Sequence, residues 1–133
     1  MSDFKFIQPE GWAPAKGYAN GIVATGRQLF IAGQIGWNGA GQFETDDFVA
    51  QVEQALNNIA AVLRAAGGRP EHLVRLNWYV TNKSEYVARQ RELGEAYRRV
   101  LGRHFPAMTL LVVAGLLEPR AKVEIEATAV LPE

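Results

Sequence analysis

Apolar and polar residues alternate most clearly near the end of the chain. The segment Val123–Ala129 reads VEIEATA, so every second residue is apolar. A period of two is typical of a strand that buries one face. Upstream, Met108–Val113 is a continuous apolar run of strand length, which indicates a strand buried on both faces. Residues 115–121, which include Pro119, provide the turn between these two predicted strands.

Shorter apolar segments near the start of the chain predict further strands. Phe4–Phe6 alternates around a lysine and predicts a first strand that ends before the next proline. The segment Pro9–Gly21 is rich in glycine and proline and is expected to be a loop. Gly21–Ala24 and Gln28–Gly36 are apolar segments separated by a turn that contains Gly26, a pattern that predicts a β-hairpin.

From Phe48 onward, apolar residues recur at steps of three and four, which predicts a helix with one face buried against a sheet. Thr45 or Asp46 can cap its first turn. Gly67 and Gly68 end the helix, because glycine adopts the left-handed cap conformation without a side-chain penalty. The apolar stripe consists of Phe48, Val52, Ala55, Leu56, Ile59, Val62, Leu63 and Ala66.

A second helix is predicted after the strand Leu73–Val80, whose sequence LVRLNWYV is rich in β-forming residues. Ser84 can cap this helix, which runs to about Leu101 and ends at Gly102. At about 100° per residue, Gln90 falls inside the apolar stripe of the helix. A buried amide at that position needs hydrogen-bond partners.

These elements predict an α+β fold in one domain, residues 1–133, with a mixed sheet of about six strands and two helices on one face. A chain of 133 residues with 48% hydrophobic residues is the size of a single domain with its own core. The lack of cysteine excludes disulfides and thiolate catalysis and fits a reducing compartment, so a cytoplasmic protein is expected. Neither a signal peptide nor a membrane-spanning segment is predicted.

Charge and motif content narrow the class of function. Fourteen basic and fourteen acidic residues cancel to a formal net charge of zero, which argues against a protein that binds nucleic-acid backbones. No cofactor is predicted. His72 and His104 have no carboxylate at a recognised metal-ligand spacing, so no metal site is predicted either.

Several motifs resemble the reactive intermediate deaminase family, called RidA or YjgF and, in older usage, endoribonuclease L-PSP. Residues 105–108, FPAM, are similar to its FPAR motif, and residues 123–127, VEIEA, to its (I/V)EIEA strand. Residues 16–21 resemble its G-P-Y-x-x-G loop, and residues 32–35 its S-G-Q-(I/V/L) strand. The resemblance implies the same α+β architecture, a homotrimer with ligand cavities between neighbouring subunits, and hydrolysis of imines and enamines of amino acids.

The sequence departs from the family pattern at two polar positions. Met108 stands where the family has the arginine that grips the substrate carboxylate, and a thioether offers no charge for that contact. Ala32 replaces the usual serine. Met108 and Leu110 therefore make the expected pocket more apolar, which favours a bulkier or less anionic ligand.

The resemblance implies roles for individual side chains. Glu124 matches the glutamate that holds the attacking water, with an exposed or interface carboxylate as the alternative. Tyr18 matches the tyrosine that borders the cavity, with packing on a neighbouring strand as the alternative. Gln90 or Arg91 matches the family's asparagine, because a one-residue insertion leaves the alignment open. The position in the apolar stripe of the helix favours Gln90. The positive charge favours Arg91, because an arginine can compensate for Met108.

Two further groups of side chains bear on the expected site. Trp12, Trp37 and Trp78 offer flat surfaces for a ligand, although each can instead pack in the core or at a subunit interface. Glu126 shares the face of Glu124 and is expected to be structural, paired with a basic neighbour.

Three hypotheses about function follow. The first is a RidA-like hydrolase that acts on an enamine, imine or related small metabolite in a cleft between subunits. The second is a non-catalytic trimer that binds or senses a small ligand, which Met108 and Ala32 favour. The third is RNA cleavage, implied by the family's older name and disfavoured by the zero net charge.

Overall fold

The structure, a computed structural model, describes residues 4–133. The strands in this part of the chain are β1 (Lys5–Ile7), β2 (Gly21–Val23), β3 (Arg27–Ile35), β4 (Leu73–Val80), β5 (Ala107–Val112) and β6 (Val123–Leu131). They form a two-stranded sheet, β1-β2, and a four-stranded sheet with the order β3-β6-β4-β5. Only β4 and β5 are parallel, so the larger sheet is mixed. The expectation of a single six-stranded sheet is therefore wrong in sheet count.

Helices cover one face of the larger sheet. The helices are α1 (Phe48–Ala65), α2 (Lys83–Ala88) and α3 (Gln90–Leu101), and Pro70–His72 forms a 3₁₀ turn. α1 packs against β3, β6 and α3. α3 reaches β4 through the stacked rings of Tyr97 and Trp78, whose centroids are 6.4 Å apart. The α+β class with helices on one sheet face is confirmed. None of the helices within residues 4–133 is long and apolar enough to cross a bilayer.

Burial along β6 follows the alternation of its sequence. Val123 and Ile125 are fully buried under α1, whereas Glu124 and Glu126 point to the opposite face and are half-buried. Burying an aliphatic side chain of this size contributes roughly 1.5–3 kcal/mol. The predicted one-sided strand is therefore confirmed, and it defines an inner face under the helices and an outer face that they leave uncovered.

The predicted hairpin between residues 21 and 36 is wrong. β2 pairs with β1, and β3 pairs with β6 instead. Gly26 explains the difference, because a Cβ at this position would collide with the carbonyl oxygen of Leu131. The turn therefore carries the chain onto the end of β6, a contact between residues far apart in sequence, and does not fold it back on β2.

The expectation that the apolar run at 108–113 is buried on both faces is wrong for the single chain. β5 is an edge strand, and Leu111 and Val112 are each 50% exposed. On the same outer face as Leu111, Phe30 is 73% exposed. The outer face thus presents large apolar side chains to the surroundings, which is uncommon unless another surface covers them.

The N-terminus of α1 is capped one residue later than predicted. The Asp47 carboxylate, rather than Thr45 or Asp46, accepts a hydrogen bond from the N–H of Ala50 at 2.9 Å. Thr45 contributes indirectly, since its Oγ1 accepts from the N–H of Asp47 at 3.0 Å. Three successive residues with capping side chains explain why local sequence does not select one of them.

The second predicted helix is two helices. Asn82, not Ser84, caps α2, and its side chain accepts from the N–H of Glu85 at 2.9 Å. Arg89, at φ −116° and ψ 22°, separates α2 from α3. Its guanidinium bonds both Glu92, at 2.7 Å, and Asp47, at 3.1 Å. The break is therefore tied to the start of α1, and the end of α3 at Gly102 is as predicted.

Replacing Asp47 with alanine is expected to lower the free energy of unfolding by about 1 kcal/mol at neutral pH, because α1 loses its cap. The N–H of Ala50 and the guanidinium of Arg89 hold the pKa of Asp47 below the ordinary value of 3.8. Since the folded-state pKa is the lower one, this stabilisation is present above the ordinary value and is lost as the pH falls through the folded pKa. Urea titrations over a series of pH values test both statements.

The neighbouring Asp46→Ala variant is the matched control. Asp46 pairs only with the exposed Arg120 and caps nothing, so its loss is expected to cost less. Equal losses in the two variants, or a loss in Asp47→Ala that persists in acid, would contradict the capping role.

Candidate functional site

A cavity of about 310 Å³ lies between α3, the β4-β5 edge and the loop before β2. Its volume is in the range of small-molecule sites. Most of its wall is aromatic or aliphatic, and two flexible polar side chains, Lys16 and Gln90, also line it. The aromatic and aliphatic residues of the wall are Trp78, Tyr86, Leu93, Tyr97, Phe105, Met108 and Leu110.

The aromatic wall is held rigidly by Tyr97. Its ring stacks on Phe105 at 5.2 Å and on Trp78 at 6.4 Å. Its hydroxyl donates a 2.6 Å hydrogen bond to the backbone carbonyl of His104. The Nε2 of His104 in turn bonds the carbonyl of Leu73 at 2.7 Å. Burial raises the pKa of Tyr97 well above its ordinary value, so the phenol stays neutral and serves as a structural donor.

Met108 lies in the cavity wall because of the parallel pairing of β4 and β5. It sits opposite Leu76, and Leu110 sits opposite Trp78, so both side chains project to the inner face. Met108 is half-buried there. The position that carries the arginine in the family pattern therefore faces the cavity and brings no charge to it.

The structure separates the two candidates for the family's asparagine. Gln90, the first residue of α3, lines the cavity. The Arg91 side chain is 91% exposed and approaches Glu95 at 3.9 Å, so it lies outside the wall. Gln90 is itself exposed in the single chain, which differs from the buried amide expected from the stripe. The contact of either side chain with a ligand stays a prediction.

Glu124 lies on the outer face, above Gly33 of β3. A Cβ at Gly33 would collide with the Glu124 carboxylate in its present position, so any other residue there would force this side chain to move. β3 has a register shift between Ile31 and Gln34, and Ala32, at this bulge, is exposed beside Gly33. Within residues 4–133 the Glu124 carboxylate accepts no hydrogen bond and forms no ion pair.

Glu126, two residues further along β6, is engaged differently. Its Oε1 accepts a 2.7 Å hydrogen bond from the Tyr79 hydroxyl and a 3.2 Å bond from the Asn77 amide. The hydrogen bond to Glu126 raises the pKa of Tyr79. The expectation of a basic partner for Glu126 is wrong, because its cross-strand neighbours on β4 are a tyrosine and an asparagine.

Glu124 and the cavity lie on opposite faces of the sheet. Glu124 pairs across β6 and β4 with Tyr79 and faces outward, whereas Met108 pairs with Leu76 and faces the helices. One chain therefore does not bring the predicted water-holding carboxylate and the predicted ligand pocket together.

Tyr18 and Trp37 lie apart from the cavity wall. Tyr18 is 43% exposed and follows Gly17, which does line the cavity. The next residue, Ala19, bonds the Pro106 carbonyl at 3.1 Å, so the loop is anchored at the start of β5. Trp37 packs its ring against Phe43 at 5.9 Å, next to a separate shallow depression.

Among the three tryptophans, Trp78 is the one that lines the cavity, and Trp12 is largely exposed elsewhere. Sequence reasoning missed Lys16, Tyr97 and Phe105 as lining residues. Lys16 stands two residues before the motif tyrosine, which is the one local signal for it. Among residues 4–133, no cluster of three or more histidine or acidic side chains is arranged to hold a metal ion.

Comparisons with known proteins agree on one family. The model of the family described as endoribonuclease L-PSP matches residues 10–131. Protein DfrA of Myxococcus xanthus is 34% identical over 110 residues, 81% of this chain and 79% of DfrA. The 2-iminobutanoate/2-iminopropanoate deaminase of Capra hircus is 33% identical over 110 residues, 81% of this chain and 76% of that protein.

A solved structure is similar over nearly the whole chain. The crystal structure of YyfB, a Rid family protein from Yersinia pestis, has a TM-score of 0.87 and 35% sequence identity, covering 97% of this chain and 99% of YyfB. RidA from an Antarctic Psychrobacter has a TM-score of 0.69 at 29% identity, covering 96% of this chain and 99% of that one. With the family model spanning residues 10–131, the chain belongs to the endoribonuclease L-PSP family, the RidA/YjgF family that its sequence motifs resemble.

Proposed function

We propose that the protein is a deaminase-type hydrolase of imines or enamines of small metabolites and acts in a cleft between subunits of a homotrimer. The observation that carries the proposal is the state of Glu124, a half-buried carboxylate that lies over a glycine and has no protein hydrogen bond within residues 4–133. Its lone pairs are therefore available to a water molecule. The deaminase name of the Capra hircus relative supports the same reaction class.

Hydrolysis of an imine requires little from the protein beyond a positioned proton acceptor. The Glu124 carboxylate takes a proton from water as the water oxygen attacks the carbon of a protonated imine, which gives a tetrahedral carbinolamine. The protonated Glu124 then returns this proton to the nitrogen. As the carbon–nitrogen bond breaks, the Glu124 carboxylate takes the proton of the new hydroxyl group and passes it to the leaving ammonia, which gives a carbonyl compound and ammonium. An enamine enters the same sequence after protonation at carbon.

A second copy of the chain supplies what one chain lacks. Since Glu124 and the cavity lie on opposite faces of one sheet, Glu124 can reach a ligand in the cavity of a neighbouring copy. The outer face carries the exposed Phe30 and Leu111, which favours its burial against other subunits. Ring closure by three copies is the arrangement that the family resemblance implies.

Light scattering coupled to size exclusion is expected to give three times the chain mass of 14.7 kDa. Phe30→Glu places a charge on the proposed contact face and is expected to dissociate the trimer and abolish turnover, because burying an unpaired charge is costly. Thr128→Glu serves as a second variant on the same face. A monomer that hydrolyses imines at the full rate would contradict the cleft between subunits.

The reaction is tested with short-lived imines that an amino-acid oxidase generates from its substrates. The purified protein is expected to accelerate release of ammonia and of the 2-keto acid over the rate in buffer. Imines from several amino acids are compared at equal concentrations, with heat-inactivated protein as the blank. The same rate with and without protein, for every imine tried, would remove the deaminase proposal.

A second function, ligand binding without chemistry, is favoured by the neutral Met108 in the cavity and by Ala32 beside Gly33. Thermal-shift screening separates the two functions. A ligand that raises Tm through the cavity, with no turnover of any imine of similar shape, would support the binding function.

A further inference from the structure

We propose that Lys16 binds the anionic group of the ligand, in the role that the family pattern gives to the arginine, and that the ligand joins a carboxylate to an aromatic or long aliphatic body. The inference rests on the proposed function, since it names the class of imine that the cavity accepts. It concerns a residue to which the family resemblance gives no role, although it opens the segment 16–21 that resembles the family's loop.

The charge argument starts from the cavity wall. Among residues 4–133, Lys16 is the one cationic residue that lines it. Within residues 4–133 the ammonium forms no ion pair with a carboxylate, whereas Arg89 and Arg99 on the adjoining helices are each paired at 2.7 Å. Lys16 is exposed in the single chain, so its attraction for an anion grows when a ligand or a neighbouring subunit displaces the surrounding water.

The backbone holds Lys16 near Met108. Gly17 has φ +77°, which a glycine adopts at no steric cost, and the chain turns there. Two residues later, Ala19 bridges to Ala107 in parallel, and its N–H bonds the Pro106 carbonyl. The loop is therefore fastened next to the residue that replaces the arginine, and Lys16 and Met108 line the same cavity.

A second polar group of the wall can share the anion. The side-chain amide of Gln90 lines the same cavity and offers two N–H donors. Trp78 lines the wall through its ring, whereas its Nε1–H is buried without a hydrogen-bond partner within residues 4–133 and does not face the open cavity.

The rest of the wall selects the body of the ligand. Tyr86, Tyr97 and Phe105 present aromatic surfaces, and Met108 and Leu110 add aliphatic ones. Thioether and aromatic groups pack favourably on aromatic rings. A volume of about 310 Å³ is large for the three- or four-carbon imines in the names of the relatives. The geometry favours carboxylate-bearing imines derived from aromatic or branched aliphatic amino acids.

The test is a binding measurement that needs no turnover. Calorimetric titration compares 3-phenylpropanoate with its uncharged amide, 3-phenylpropanamide. We expect the wild-type protein to prefer the carboxylate by about tenfold, the size of one charge-assisted contact. Lys16→Met is expected to remove this preference and leave the affinity for the amide unchanged, and Lys16→Arg is expected to keep it.

Two control variants sharpen the result. Lys5→Met removes an exposed lysine of β1 outside the wall and is expected to change nothing. Arg98 lies near the rim, its Nη1 being 3.3 Å from the place of a Cβ on Gly94. Loss of the preference in Arg98→Met, with retention in Lys16→Met, would overturn the assignment. Recovery of the preference in the double variant Lys16→Met with Met108→Arg would support a carboxylate bound between the two positions.

These measurements distinguish failure of the proposed ligand class from failure of the proposed deaminase function. A carboxylate preference that depends on Lys16, together with no imine turnover, upholds the ligand class and removes the deaminase function. If Lys16→Met hydrolyses aromatic imines at the wild-type rate, the deaminase function is upheld and the role of Lys16 is overturned. Equal affinity of the wild-type protein for carboxylate and amide overturns it as well.

Discussion

Glu124→Gln is expected to lower imine hydrolysis by about 10²–10⁴-fold, the usual contribution of a positioned general base. Glutamine keeps the length and the half-buried position of the side chain but cannot accept the proton of the attacking water. Since the Glu124 carboxylate holds no protein hydrogen bond within residues 4–133, the fold loses none. Initial rates of ammonia release give kcat/KM, and thermal unfolding gives the stability.

The matched control is Glu126→Gln on the same face of the same strand. A glutamine carbonyl oxygen at this position can still accept from Tyr79 and Asn77, so activity near that of the wild-type protein is expected. An unchanged rate in Glu124→Gln, or a larger loss in Glu126→Gln than in Glu124→Gln, would transfer the catalytic role to another group.

The parts of the fold that follow from local periodicity could be predicted from sequence. The alternation of β6 and the stripe of α1 encode which side is buried, because the period of each element fixes its buried face. β4 also begins and ends where its run of β-forming residues does, at Leu73 and Val80. In such elements the apolar surface of nearby residues decides the structure, and no distant contact overrides it.

The errors in the fold arise where a distant contact decides. The approach of Gly26 to Leu131 sends β3 to β6, and nothing within residues 21–36 records it. The salt bridges of Arg89 to Asp47 and Glu92 fasten the break between α2 and α3. Strand pairing and helix breaks of this kind depend on residues that become neighbours only in the folded chain.

The candidate site shows the same division. The motif at 105–108 locates Met108, and strand geometry then directs it into the cavity. Local sequence does not predict that Lys16 lines the cavity, because a lysine in a loop rich in glycine and proline has no periodic pattern and is usually solvated. The choice between Gln90 and Arg91 depended on where α3 begins, which the break at Arg89 determines. Sequence therefore predicts the place of Met108 in the cavity wall, whereas the polar groups around the cavity follow only from the folded chain.

The second large effect is expected in stability, from Gln51→Leu. Gln51 is fully buried on α1, and its side chain makes three hydrogen bonds to backbone groups. Its Nε2 donates to the carbonyls of Thr45 and Arg120, both at 3.1 Å, and its Oε1 accepts from the N–H of Lys122 at 2.9 Å. These bonds tie the helix start to the turn that leads into β6. Leucine leaves all three backbone groups without partners, so we expect a loss of about 3 kcal/mol in the free energy of unfolding, measured by urea titration.

Gln54→Leu, the same substitution three residues later, is the matched control. Gln54 is half-buried, and its Nε2 donates one hydrogen bond, to Asn58 Oδ1 at 2.9 Å. Its loss is therefore expected to cost under about 1 kcal/mol.

Gln51→Leu is also expected to impair turnover in protein that remains folded, because Gln51 fixes the turn ahead of β6, the strand that carries Glu124. Equal free energies of unfolding for the two variants would contradict this role of Gln51. The backbone groups around residue 122 would then have found other hydrogen-bond partners, and the pairing of the sheet alone would hold Glu124 in place.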